Sequence, residues 1–142
     1  MSDLSDLVRT LGGPALVPAR SLRRLRELAR AGLPYASLTA VVSGFRIGAS
    51  DAIAILRIPT RTLARRRLER RLSAEESDRL LRLGRIATLA EGVLGSRDKA
   101  AAWLQAANRA LGGERPLDHL DTDPGAEEVE SLLLRAAHGV YS

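Results

Sequence analysis

Six side chains in one short stretch, Thr60, Arg61, Thr62, Arg65, Arg66 and Arg70, have the types and spacing to grip a polyanion. Arginine guanidinium groups donate paired hydrogen bonds to phosphate or to the major-groove edge of guanine, and threonine hydroxyls donate to phosphate oxygens. Arg65-Arg66-Arg67 with Arg70 and Arg71 concentrates positive charge that would displace counterions from a duplex. The same residues would equally make a solvated helix face that keeps the chain soluble. Local sequence leaves both readings open.

A second cluster, Asp118, His119 and Asp121, has side chains that elsewhere bind metals or move protons. The chain holds 2 His and 0 Cys, and His119 has no second histidine at ligand spacing. No metal site is therefore expected. Asp121 reads better as a helix cap, and His138 as a cation in a last helical turn. Asn108, Gly112 and Gly113 could bring backbone amides to an anion. No strand precedes them and no Lys-Ser/Thr follows, so a structural turn is preferred. Trp103 reads as a core anchor. No nucleophile–base pair emerges. The chain is not read as an enzyme, and no catalytic residue or cofactor is expected.

The surrounding composition narrows the classes further. A chain of 142 residues is long enough for one domain, or for two small ones sharing a core. The absence of cysteine agrees with a reducing, cytoplasmic setting. The first twenty residues carry no continuous apolar run, so neither a signal peptide nor a membrane span is expected. Residues 1–72 hold 14 Arg against 5 Asp/Glu, whereas residues 73–142 hold 8 Lys/Arg against 12 Asp/Glu. A basic front and an acidic back suggest two jobs. An Arg-rich background explains the choice of arginine over lysine, but not its gathering in the front half.

These residues need elements to position them, and the periodicity is helical throughout. Residues 1–20, with Gly12, Gly13, Pro14 and Pro18, read as an irregular arm in which Leu4, Leu7 and Val8 could form one amphipathic turn. Residues 21–72 read as a bundle. Ser21 caps a helix with Leu22, Leu25, Leu28 and Ala29 inward, and a short helix follows at about 36–43. A helix at 49–56, the tight Arg57-Ile58-Pro59 connection and a helix at about 60–70 make a helix-turn-helix pattern. In that last helix Leu63, Ala64 and Leu68 are expected to face back. Residues 73–95 open with the capping box Ser73-Ala74-Glu75-Glu76 and read as one long bridging helix. In residues 96–142, Ser96 caps a helix to about 106 with Trp103 inward, and a turn-rich loop and one short helical turn follow. Asp121 or Thr122 then caps a last helix to about 138. No period-2 pattern appears, so the expected class is all-α.

The back of the chain carries several motifs in order: Ser96-Arg97-Asp98-Lys99-Ala100-Ala101-Ala102-Trp103-Leu104, Leu111-Gly112-Gly113-Glu114-Arg115-Pro116-Leu117, Leu120-Asp121-Thr122, Gly125-Ala126-Glu127-Glu128-Val129 and Gly139-Val140-Tyr141-Ser142. Together they resemble the C-terminal domain of the Xre/MbcA/ParS antitoxin family. Leu63-Ala64-Arg65-Arg66 followed by Ser73-Ala74-Glu75-Glu76-Ser77-Asp78-Arg79-Leu80 resembles the Xre-like domain of the same antitoxins. One departure is Pro59, which stands where a Ser or Thr cap is more usual and moves the helix start to Thr60.

The resemblance implies an antitoxin that pairs with a RES-domain toxin, an enzyme that destroys NAD. It further implies that the C-terminal segment enters the toxin's NAD site. Arg135, His138, Gly139, Val140, Tyr141 and Ser142 would then form the toxin-binding set, with Arg135 pairing an acidic group. Read without the resemblance, a tyrosine there is either a frayed end or an anchor for a partner's pocket. The front half would bind operator DNA, through Thr60, Arg61, Thr62, Arg65, Arg66 and Arg70, and repress its own operon. A homodimer is expected because palindromic operators need two recognition helices. The alternative is a stand-alone helix-turn-helix transcription regulator whose C-terminal domain only dimerises.

Overall fold

Short polar side chains set where the helices begin. Hydroxyls of Ser21, Ser73, Ser96 and Thr122 accept the amides of Arg24, Glu76, Lys99 and Gly125 at 3.0–3.1 Å, each three residues on. Each bond satisfies a donor that a helix start would otherwise leave open. A computed structural model describes residues 4–139. Its α-helices are α1 (Leu4–Thr10), α2 (Leu22–Ala31), α3 (Tyr35–Gly44), α4 (Ala49–Leu56), α5 (Thr60–Glu69), α6 (Ala74–Leu94), α7 (Arg97–Leu104) and α8 (Asp123–His138). Two 3₁₀ turns, Arg109–Leu111 and Pro116–His119, link α7 to α8. No strand forms among the described residues, and the all-α expectation holds.

Helix α6 is the spine. Leu80, Leu83, Ile86, Ala87 and Ala90 are fully buried along it, and α1, α2, α4, α7 and α8 all pack against it. One continuous apolar core runs from Val8 and Leu11 through α6 to Val129 and Leu133. The basic front and the acidic back therefore share a single interior.

Three inward assignments change, those of Leu22, Ala64 and Leu68. The turn expected at Leu4, Leu7 and Val8 extends to all of α1, which packs on α6, and the stretch after it has no regular element yet buries Leu11 and Val17. Gly84 lies at this contact, where a Cβ would meet Leu11 Cδ2 at 3.4 Å, an ordinary contact distance. The Thr88 hydroxyl lies 2.7 Å from Thr10 Oγ1 and 2.7 Å from the Gly84 carbonyl, which satisfies the polar groups in this contact. Leu22 points outward, leaving Leu25 and Ala29 as the buried residues of α2. Ala64 and Leu68 also point outward, and no residue of α5 is fully buried.

Candidate functional site

The helix-turn-helix is built from α4, the connection Arg57-Ile58-Pro59 and α5. Leu56 and Ile58 are buried and anchor the turn. Arg57 sits at φ 54, a left-handed conformation usually left to Gly or Asn. Its guanidinium offsets that strain by donating to the Asp121 carbonyl at 3.0 Å. Pro59 precedes α5 without a side-chain cap, and its carbonyl accepts the Leu63 amide at 2.9 Å.

On α5, Thr62, Leu63 and Arg66 are half-buried, while Thr60, Arg61 and Arg65 are exposed, as is Arg70 just beyond the helix. Among the described residues, the guanidinium groups of Arg61, Arg67 and Arg70 meet no carboxylate within salt-bridge range. Arg65 reaches Glu69 only at 4.0 Å. Arg66 differs from its neighbours. Its Nε donates to Glu76 at 2.8 Å and its Nη1 to Glu69 at 3.1 Å. Burial alone would push the Glu76 carboxyl up. The hydrogen bonds from Arg66 and from the Ser73 amide outweigh it and hold that carboxyl below its ordinary value. The bonds to Glu76 and to Glu69 raise the Arg66 guanidinium in turn.

Beyond α7 in the chain, the loop with Asn108, Gly112 and Gly113 is a self-contained turn. Asn108 Oδ1 caps the Ala110 amide at 3.0 Å, and Gly112 and Gly113 take positive φ of 69 and 88. Trp103 is half-buried against the core rather than fully enclosed. His119 lies between two glutamates, with Nδ1 2.9 Å from Glu128 and Nε2 2.8 Å from Glu114. The Glu114 contact is a close approach rather than an aligned hydrogen bond. Thr122, not Asp121, caps α8. No group of three or more His, Cys, Asp or Glu is placed to hold a metal among the described residues.

Helix α8 buries Ala126, Val129 and Leu133 and leaves Leu134, Arg135 and His138 exposed at its far end. His138 Nδ1 lies 3.0 Å from the Leu134 carbonyl. Gly139 closes the helix at φ 68. Val140, Tyr141 and Ser142 lie outside the described residues.

Sequence reasoning missed the ties between the two halves. Arg115 donates to Asp51 at 2.9 and 3.1 Å and to Asp118 at 2.6 Å. Arg79 donates to the Leu56 carbonyl at 3.2 Å, and Gln105 donates to the carbonyls of Phe45 and Arg46. Arg115 and Asp51 are 64 positions apart, so no local spacing marks the pair.

Comparison with known families now decides the chain's kinship. Residues 24–85 match the family described as the antitoxin Xre-like helix-turn-helix domain. Residues 89–139 match the antitoxin Xre/MbcA/ParS C-terminal toxin-binding domain. The chain belongs to the Xre/MbcA/ParS antitoxin family. A protein named Antitoxin Xre from Photorhabdus laumondii is 33% identical, over 97% of this chain and 92% of that protein. Another of that name from Yersinia enterocolitica is 36% identical, over 88% of this chain and 95% of its own. A third, from Pseudomonas putida, is 42% identical over 58% of this chain and 52% of its own. In this antitoxin the two matched segments meet inside α6, which serves both the helix-turn-helix and the toxin-binding domain. No described helix is long and apolar enough to cross a membrane.

Proposed function

We propose that this antitoxin neutralises a RES-domain, NAD-degrading toxin by placing the segment after α8 in the toxin's active site. We further propose that its helix-turn-helix binds operator DNA as a homodimer, repressing its own operon in the cytoplasm. The observation that carries the first part is the end of α8. One face of that helix is locked into the core by Ala126, Val129 and Leu133. Leu134, Arg135, His138 and Gly139 stand exposed immediately before Val140, Tyr141 and Ser142. A helix fixed along its length presents its last turn with little freedom, so less entropy is lost when a partner closes on it. Leu134 offers apolar contact, Arg135 a cation for an acidic group, and Gly139 a left-handed turn that redirects the chain. Steric occlusion requires no chemistry from this chain.

For DNA, the unpaired cations of α5 support the reading. Thr60, Arg61, Thr62, Arg65 and Arg70 would face the duplex, and Arg66 would act from behind as the support of the helix.

Cellular NAD tests the toxin half. The gene beside this one is expressed alone, with the full chain, and with the chain cut after Ala137. The expected result is a fall in NAD, rescue by the full chain and no rescue by the shortened one. Equal rescue by both would show that inhibition acts elsewhere. NAD that never falls would favour the stand-alone regulator.

A further inference from the structure

The outward stripe of α5 contains a residue that neither its packing nor its charge accounts for. Arg61, Ala64, Arg65 and Leu68 follow the i, i+3, i+4, i+7 spacing of a single helix face, and all four are exposed. Leu68 is 85% exposed, more than Leu22 or Leu134. The half-buried residues Leu63 and Arg66 lie on the opposite side, with Thr62 on the flank between, so Leu68 takes no part in seating the helix. A lone exposed leucine is ordinary on a protein surface. This one shares its face with the cations Arg61 and Arg65.

The occupant of that face must be anionic around its edge and apolar at one point. A second copy presenting the same face would set arginine against arginine. Duplex DNA supplies phosphates on both sides of a groove, and the major-groove edge of thymine carries an apolar C5 methyl group. The same four-residue spacing lets homeodomain recognition helices read the major groove. Leu68 lies seven residues beyond Arg61, roughly 10 Å along the helix and about three base pairs along a duplex.

We infer that Leu68, with Ala64, is a specificity residue that reads thymine methyl groups about three base pairs from the base met by Arg61. The inference rests on the DNA-binding reading above and adds to it the chemistry of the operator.

Uracil substitution removes the methyl and leaves the pairing edge unchanged. Binding is measured by fluorescence anisotropy, using a duplex from the chain's own promoter region made with thymine or with uracil, first throughout and then position by position. The wild-type chain is expected to lose about fourfold in affinity per contacted methyl. Leu68→Ala is expected to bind the thymine duplex more weakly and to ignore uracil at the position the wild type senses. Circular dichroism should show the variant fully folded, since Leu68 packs on nothing. Equal wild-type affinity for both duplexes, or an unchanged uracil penalty in Leu68→Ala, would overturn the inference and leave the DNA-binding reading standing. A change of oligomeric state in Leu68→Ala, read by light scattering, would assign the residue to a protein contact instead. Failure to bind any promoter duplex would remove both readings.

Discussion

Arg66 Nε and the Ser73 backbone amide both donate to the same atom, Glu76 Oε1, each at 2.8 Å. One carboxylate oxygen thus completes the capping box of α6 and holds α5 in place. The arrangement matters because α5 buries nothing completely and has only Leu63 as an apolar foothold. Glutamine at this position can still accept the Ser73 amide, as a capping box allows, but it forfeits the charge on the Arg66 pair, worth about 1 kcal/mol. Glu76→Gln should therefore lower the melting temperature by a few degrees. Arg66→Gln should leave α6 capped and loosen α5. Hydrogen exchange should then speed up in α5 amides before those of α6.

The same clamp separates two roles for arginine at a DNA face. A residue that meets phosphate lowers the salt dependence of binding when it is removed, by about one unit in the slope of log affinity against log salt. Arg70→Gln is expected to do this, since its guanidinium is exposed and has no protein carboxylate within reach. Arg66→Gln is expected to weaken binding with the slope unchanged, because its guanidinium already faces Glu76 and Glu69. A salt titration of the promoter duplex with each variant reads the difference.

Acid should act on the clamp in a known direction. Glu76 is held below its ordinary value because Arg66 and Ser73 outweigh burial. Asp118 is held down chiefly by the hydrogen bond from Arg115, against burial. A carboxyl depressed in the folded state stabilises it above the unfolded pKa, about 4, and that contribution is lost as pH falls through the folded value. The melting temperature should therefore be insensitive to these groups above about pH 4.5 and fall below it. In Glu76→Gln the fall should be shallower. Thermal melts between pH 3 and pH 7 compare the two.

Much of this fold was legible because its cues are local. Ser21, Ser73 and Ser96 each satisfy an amide three residues away, and the turn at Ile58 lies between two short apolar stretches. The arm was legible only in its turn at Leu4, Leu7 and Val8; Gly12, Gly13 and Pro14 mask the burial of Leu11, which packs beside Gly84 on a helix some seventy residues on. Ala64 and Leu68 fit an inward stripe by periodicity alone. The seat of α5 is instead set by Leu63 and by a salt bridge whose partner lies on another helix. Of the candidate site, the cations on α5 and the end of α8 could be read from sequence. The Arg66 clamp and the Arg57–Asp121 tie could not, because each depends on groups the fold brings together.

Gly125 reverses an ordinary rule. Replacing an interior helical glycine by alanine usually stabilises a helix by about 1 kcal/mol. At Gly125 a Cβ would run into the His119 carbonyl and lie 3.0 Å from Thr122 Oγ1. The carbonyl belongs to the 3₁₀ turn that feeds α8, so relief requires moving backbone. Gly125→Ala should therefore destabilise the chain, by about 1–3 kcal/mol. Urea denaturation gives the sign directly, and a stabilised variant would show that the turn and α8 can shift apart freely.

Arg115 tests whether the two halves share stability as well as a core. It sits between Asp51, in the first turn of α4, and Asp118, in the 3₁₀ turn before α8. All three side chains are partly exposed, which places the pair among surface ion pairs worth at most about 1 kcal/mol. Paired donation to Asp51 favours the upper part of that range. A double-mutant cycle with Asp51→Asn and Arg115→Gln should give a coupling of roughly 0.5–1 kcal/mol at low salt, shrinking as salt is added. Asp118 would still hold Arg115 in the Asp51→Asn variant, so that single change should cost less than Arg115→Gln. A coupling of zero would mean that the apolar core along α6 joins the helix-turn-helix to the toxin-binding half without help from this bridge.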